Sequence, residues 1–165
     1  MFFLTGVAGS YSQHPNFKTM SLSADKFFYE TLIHDQSVMA TVEGRVFNPA
    51  REDIDEEEDK IPYIIIALED VQNVTNDKDE RGEGTYDQSV ISLLLVERDR
   101  NKLAVLSEQV RRDMRNAINA FDASDEARLG FGITNYTFRA GQVQFDPAKP
   151  CCFQQLVYTT EDYSL

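Results

Sequence analysis

Apolar residues recur at helical spacing in two stretches of the chain. The first stretch follows Ser23, whose side chain suits a helix N-cap, and runs for about ten residues to His34-Asp35. The second runs from about Asn101 to Phe121. Its apolar positions form one continuous face: Leu103, Leu106, Val110, Met114, Ala117, Ile118 and Phe121. The pattern therefore predicts two amphipathic helices.

Between these helices, the pattern changes to that of β-strands. The segment Met39–Phe47 alternates and ends at Asn48-Pro49, which predicts a strand followed by a turn. Tyr63–Leu68 is apolar on both faces, which is typical of a central strand that is covered on both sides. Tyr86–Glu97 predicts another long strand, which forms a hairpin with the first across the polar residues 73–85.

The C-terminal part of the chain predicts the remaining strands. They lie near Ile133–Arg139 and Phe153–Thr160, with a short extended piece at Gln142–Phe145 between them. The stretch "DASDEARLG", which follows the second helix, is expected to be a loop. The predicted order is helix, three strands, helix and two or three strands, which is an α+β fold with about five strands and two helices.

A chain of 165 residues is long enough for one domain with a real core. We expect a single domain over residues 21–165 and an N-terminal arm over residues 1–20, because the arm is rich in Gly, Ser, Asn and His, lacks periodicity and would order only against a partner. It has no basic residue before Lys18, which disfavours a secretory signal, and the chain has no apolar run of about 18 residues. Cys151 and Cys152 are expected to be small residues on the last strand rather than a disulfide or zinc site.

The most acidic stretch of the chain directly precedes its most apolar strand. Seven of the eight residues from 52 to 59, called the acidic run below, are acids: Glu52, Asp53, Asp55, Glu56, Glu57, Glu58 and Asp59. Like charges at this density cannot be buried, so we expect the run to be solvated. The chain has 28 acids and 16 bases, a formal net charge of −12, which disfavours nucleic-acid binding. An acidic wall would instead keep DNA mobile inside a passage.

Signals for metal or catalytic chemistry are weak. The stretch 77–88 begins like a calcium-binding loop, but Arg81 occupies its fifth position and Gln88 its twelfth, where a bidentate glutamate is required. Only His14 and His34 are available as histidine bases, and no nucleophile-elbow, P-loop or dinucleotide-binding glycine motif occurs. We therefore predict no catalytic residue, metal or cofactor, and we do not expect an enzyme.

The polar face of the second predicted helix carries Arg111, Arg112 and Arg115. Arg111 and Arg115 are four residues apart and therefore share a side of the helix. One interpretation is a solvated surface, in which Glu108 and Arg112 stabilise the helix locally. The other is a subunit contact, because guanidinium groups pair bidentately with carboxylates, of which this chain has a surplus.

Several segments, taken in order, resemble a known family. They are "FFYETLIHDQSVMATVEGRVF", "IPYIIIALEDVQN" after a variable loop, "GTYDQSVISLLLVERDR" and the helix "LAVLSEQVRRDMRNAI". This succession, over about residues 24–121, is similar to the tail-completion (tail-terminator, minor tail protein U-like) proteins of long-tailed bacteriophages. The C-terminal "QQLVYTTED" adds to the likeness. The N-terminal arm and the acidic run are departures from the family pattern.

The resemblance implies a subunit with a curved, mainly antiparallel sheet that carries the two helices. It also implies that six copies close into a ring at the head-proximal end of the tail tube, stop tube growth and present a docking face to the head-side connector. The expected partners are other copies of the chain, the tail tube protein and the connector or neck proteins, with DNA passing through without specific binding and no membrane. The expected location is the virion, in the tail or neck, after assembly in the host cytoplasm.

The resemblance and the charge pattern together suggest positions for the two charged segments. The acidic run would face the lumen or the axial surface of the ring and pair with Arg111, Arg112 and Arg115 of a neighbour. Three alternatives stay open at this point. They are a head-completion or neck adaptor that binds the portal-side ring, an enzyme of unknown type, and a nonviral binding module with the same α/β pattern.

Overall fold

A computed structural model describes residues 24–49, 60–75 and 85–164. The described residues form four helices and one six-stranded, mainly antiparallel sheet, which confirms the predicted α+β class. The helices are α1 (Ala24–His34), α2 (Gln36–Thr41), α3 (Arg100–Asn119) and α4 (Ala123–Leu129). The strands are β1 (Val46–Phe47), β2 (Tyr63–Thr75), β3 (Thr85–Glu97), β4 (Phe131–Ala140), β5 (Gln144–Asp146) and β6 (Cys151–Ser164). The predicted N-terminal arm, the Ser23 cap, the acidic run and most of the calcium-like stretch lie outside the described residues.

The strands are ordered β1-β2-β3-β6-β4, and β5 pairs with the beginning of β6. Among the described strands, only the short β1–β2 pair is parallel. The long strands lie in register: Leu68 of β2 is opposite Ile91 of β3, which is opposite Tyr158 of β6. The predicted hairpin of β2 and β3 is confirmed, as are the two C-terminal strands, and the short extended piece is β5.

The interior position predicted for the apolar strand β2 is confirmed, but the predicted coverage of both its faces is only partial. In the described part of the sheet, β2 lies between β3 and the two-residue β1. Ile64 and Ile66 are fully buried in the core, but Ile65 and Ala67, which point to the opposite face, are only half-buried. The apolar run predicted that both faces of β2 are covered. Within the described part of the chain, the face with Ile64 and Ile66 is covered more completely than the face with Ile65 and Ala67.

The core lies between one face of the sheet and the helices α1 and α3. The ring of Phe28 on α1 meets Tyr158 of β6 at a centroid distance of 5.1 Å, and Phe27 meets Phe121 after α3 at 5.2 Å. On α3, the face predicted from apolar spacing is confirmed, because its central members have no solvent exposure: Leu103, Leu106, Val110 and Met114. Side chains of this size contribute about 1.5–3 kcal/mol each when fully buried, so the α3 face is a main source of stability.

The strand predicted over Met39–Phe47 is wrong for most of its length, because its first three residues belong to helix α2 and only Val46–Phe47 forms a strand, β1. The cause is the side chain of Asp35, which accepts hydrogen bonds from the backbone N–H groups of Ser37 (2.9 Å) and Val38 (2.8 Å). Such an N-cap satisfies amide groups that the first helical turn leaves unpaired. Val38 and Val42, four residues apart, are then buried on the same side.

The stretch "DASDEARLG" is also helical rather than a loop, because it forms α4. Asp122 accepts hydrogen bonds from the backbone of Ser124 and Asp125, and the Asp125 carboxylate accepts one in return from the Asp122 N–H. Gly130, with φ of 78°, ends the helix in the left-handed conformation that glycine favours. Arg128 of α4 forms an ion pair with Glu30, and this contact links α4 to α1.

Cys151 and Cys152 lie on β6 and are buried, as predicted for small residues on the last strand. Burial raises the pKa of the Cys151 thiol, so this thiol is kept in its neutral form. No helix among the described residues is both long and apolar enough to cross a membrane.

Candidate functional site

The polar face of α3 is the candidate functional surface. The helix begins at Arg100, directly after Asp99, whose carboxylate caps it by accepting a hydrogen bond from the Lys102 N–H (2.9 Å). Because the apolar face of α3 packs against the sheet, the opposite side is left to solvent. The predicted arginines Arg111, Arg112 and Arg115 are all exposed there.

These arginines line a small pocket of about 90 Å³ between α3 and the sheet. We call it the arginine pocket. Its walls come from α3, and its floor comes from the aromatic side chains of β4 and β6. The full set is Glu108, Arg111, Arg112, Arg115, Tyr136, Phe138 and Tyr158.

Arg111 is held over the aromatic floor. Its guanidinium carbon lies 4.6 Å from the centroid of the Phe138 ring, which is within the range of a cation–π contact. One of its nitrogens is also 3.6 Å from a carboxylate oxygen of Glu108. The sequence suggested that Glu108 stabilises the helix with Arg112, but the ion pair that forms is with Arg111.

The other two arginines are less restrained. Arg112 lies 3.6 Å from the Asp113 carboxylate, and both Arg111 and Arg112 keep about half of their side-chain surface exposed. Arg115 makes no ion pair or hydrogen bond within the described parts of the chain. Burial, with an additional contribution from the Asp35 carboxyl, raises the pKa of Asp113. The pocket therefore carries more positive charge than its own carboxylates balance.

Tyr158 forms the floor of the pocket and is almost completely buried. Its ring lies 4.9 Å from that of Phe138 and 6.3 Å from that of Tyr136, centroid to centroid. Burial raises the pKa of the Tyr158 phenol, so it stays protonated at physiological pH. The site thus combines rigid aromatic rings with guanidinium donors, an arrangement that binds anionic groups and suits an interface.

The aromatic floor was not predicted from the sequence. Tyr136 and Phe138 are two residues apart on β4 and therefore share a face, and the register places Phe138 opposite Tyr158. The alternation in "NYTFRA" is a signal for this face. Its meeting with the arginines could not be found without knowing which strands pair.

The acidic run lies outside the described residues, so its predicted place at a lumen or axial surface stays a prediction. The described chain leaves at Pro49, after β1, and returns at Lys60, before β2. Both points belong to the edge of the sheet opposite β4, since the strand order runs from β1 to β4. The two charged segments of the chain are thus attached at opposite edges.

Two large apolar side chains remain exposed on the described surface. Val105 of α3 is 67% exposed, beside an open groove of about 460 Å³ that it shares with Pro62 and Lys102, and Phe145 of β5 is 62% exposed. His34 contacts the carbonyl oxygen of Glu30 in its own helix, and no group of His, Cys, Asp or Glu within the described ranges is placed to hold a metal ion.

Comparisons with known proteins show a similarity in fold. No protein-family model and no curated protein matches the chain in sequence. Among solved structures, the chain is similar to a chain in the virion of a native gene transfer agent particle. The TM-score is 0.60, with 12% sequence identity over 88% of this chain and 98% of that chain. At this identity, the match shows that the two chains share a fold over nearly the whole length of the gene transfer agent chain.

Proposed function

We propose that this protein is a structural component of a phage-like virion, and that it acts by assembling with other proteins rather than by catalysis. The observation that carries the proposal is the fold shared with a chain of a gene transfer agent virion, over 88% of this chain and 98% of that one. The sequence resemblance to tail-terminator proteins supports it independently, because that resemblance rests on segments of this chain and not on the fold comparison.

Within the virion, we propose the role of a tail terminator. Six copies form a ring at the head-proximal end of the tail tube, where they stop tube growth and connect the tube to the head-side connector. Such a ring uses a heterologous contact, in which one face of a subunit meets a different face of its neighbour. The opposite sheet edges of this chain, one next to the acidic run and one next to the arginine pocket, are suited to such a contact.

In this arrangement, Arg111, Arg112 and Arg115 lie at the subunit interface, and the acidic run faces the lumen or the axial surface. The net charge of −12 then makes the inner wall repel DNA, which passes through without being bound. The exposed Val105 and Phe145 provide apolar surface for contacts with other subunits.

Tube growth in solution tests the proposed role. Purified tail tube protein is allowed to polymerise with and without this protein, and tube lengths are measured by electron microscopy. We expect the protein to stop growth at sub-stoichiometric amounts, because only tube ends bind it.

A neck adaptor would give a different result in the same experiment. Tube length would be unchanged, and the protein would instead bind the portal-side ring in a pull-down. That outcome would exclude the terminator role and keep the virion assignment. Binding to neither tube nor portal-side ring would contradict both.

A further inference from the structure

We propose that the arginine pocket binds a carboxylate side chain from the acidic run of a second copy of this chain. The inference rests on the proposed ring and adds the chemistry of its contact. It assigns Arg115 as the main ligand-binding group and Arg111, stacked on Phe138, as a pre-oriented second donor.

The charge balance of the pocket favours an anion. The pocket is lined by three guanidinium groups and one carboxylate, that of Glu108, which lies 3.6 Å from Arg111. Arg112 lies 3.6 Å from Asp113, which is not part of the pocket lining. Arg115 has no partner among the described residues. The Phe138 ring contacts one face of the Arg111 guanidinium, so the N–H groups in the guanidinium plane remain available as donors. A carboxylate can accept two parallel hydrogen bonds from such N–H groups.

A protein carboxylate suits the pocket better than a nucleic-acid phosphate. The chain has a net charge of −12, so a DNA duplex that approaches α3 is repelled by the rest of the subunit. A copy of the chain supplies the anion at high local density, since seven of the eight residues at 52–59 are acids. A volume of about 90 Å³ admits the end of one side chain.

The geometry of the sheet favours a second copy over the chain's own acidic run. Tyr63, at the start of β2, is five residues along the strand from Leu68, and Leu68 is two strands across the sheet from Tyr158. The distance between Tyr63 and Tyr158 is therefore about 20 Å. Ten residues, 50–59, join Pro49 to Lys60 in eleven Cα steps, so their midpoint reaches about 20 Å from these ends only when the connection is fully extended in both directions. When the β1 edge of one subunit faces the β4 edge of the next, the run of the first lies beside the pocket of the second.

Peptide binding to the purified protein tests the carboxylate site apart from the ring. The probe is a peptide of residues 52–59 with blocked ends, and the reference is the same peptide with every acid replaced by its amide. Titration is followed by calorimetry and by the NMR signals of the arginine side chains. We expect the acidic peptide to bind and the amide peptide not to bind, and Arg115→Gln to weaken binding by about tenfold or more.

Arg100→Gln is the matched control, because it removes the same charge from an exposed position on the same helix but outside the pocket. It is expected to bind the peptide nearly as well as the unchanged protein. Equal weakening by both variants, or equal binding of the two peptides, would overturn the proposal. So would a short DNA duplex that displaces the peptide at lower concentration, because the pocket would then be a phosphate site.

Ring formation is tested separately, by electron microscopy of the unchanged protein on tail tubes. Rings without peptide binding would refute only the carboxylate contact. Peptide binding that depends on Arg115, without rings, would refute only the proposed assembly. Combining Arg115→Glu with Glu56→Lys and Glu57→Lys should restore assembly that Arg115→Glu alone abolishes, since both partners of the contact are then reversed.

Discussion

At the scale of single residues, Asp162 is a carboxylate that the fold disfavours in its charged form. It is 3% exposed, and one of its oxygens accepts a hydrogen bond of 2.7 Å from the Ser89 hydroxyl. The other oxygen has no hydrogen-bond partner among the described residues. Burial, with a smaller contribution from Asp87, raises the pKa of Asp162 from 3.8 to about 6.

Asp162→Asn is therefore expected to stabilise the protein at neutral pH. The native state binds more protons than the unfolded state between about pH 4 and pH 6, so stability falls as pH rises through this range. A shift of about two units corresponds to at most about 3 kcal/mol, which the variant regains above pH 6. Urea unfolding from pH 4 to pH 8 measures this effect. The exposed Asp70→Asn should show no such gain, and parallel pH profiles for Asp162→Asn and the unchanged protein would contradict the assignment.

At the scale of elements, length decided what the sequence could predict. The apolar stripe of α3 extends over five turns, from Leu103 to Phe121, so its periodicity is unambiguous. The helices α2 and α4 have 6 and 7 residues, too few to establish a period, and each depends on one capping aspartate, Asp35 or Asp122. The arginines of the candidate site could be predicted because they lie on α3. The aromatic floor could not, because it depends on the pairing of β4 with β6.

The Asp35 cap is expected to contribute about 1 kcal/mol to stability through α2. Comparing Asp35→Ala with Asp35→Asn isolates this contribution, because both variants remove the charge next to Asp113 but only asparagine keeps an acceptor for the amides of Ser37 and Val38. Chemical unfolding should show the alanine variant less stable than the asparagine variant by about that amount. Equal stability of the two would show that α2 is held by the burial of Val38 and Val42 alone.

At the scale of the whole molecule, the charged segments are separated across the sheet. The acidic run is joined to the β1 edge, and the arginine pocket lies beside β4 at the other. Two copies that meet through the same edge bring like charges together, whereas opposite edges bring unlike charges together. This polarity favours a head-to-tail contact, which closes into a ring when the rotation per subunit divides a full turn.

Electron microscopy of tail tubes mixed with the purified protein tests the proposed ring most directly. Image averages viewed along the tube axis should show a closed ring of six copies at one end of each tube, with the hole left open for DNA. Copies scattered along the tube, or single copies at its end without rotational symmetry, would contradict the proposal.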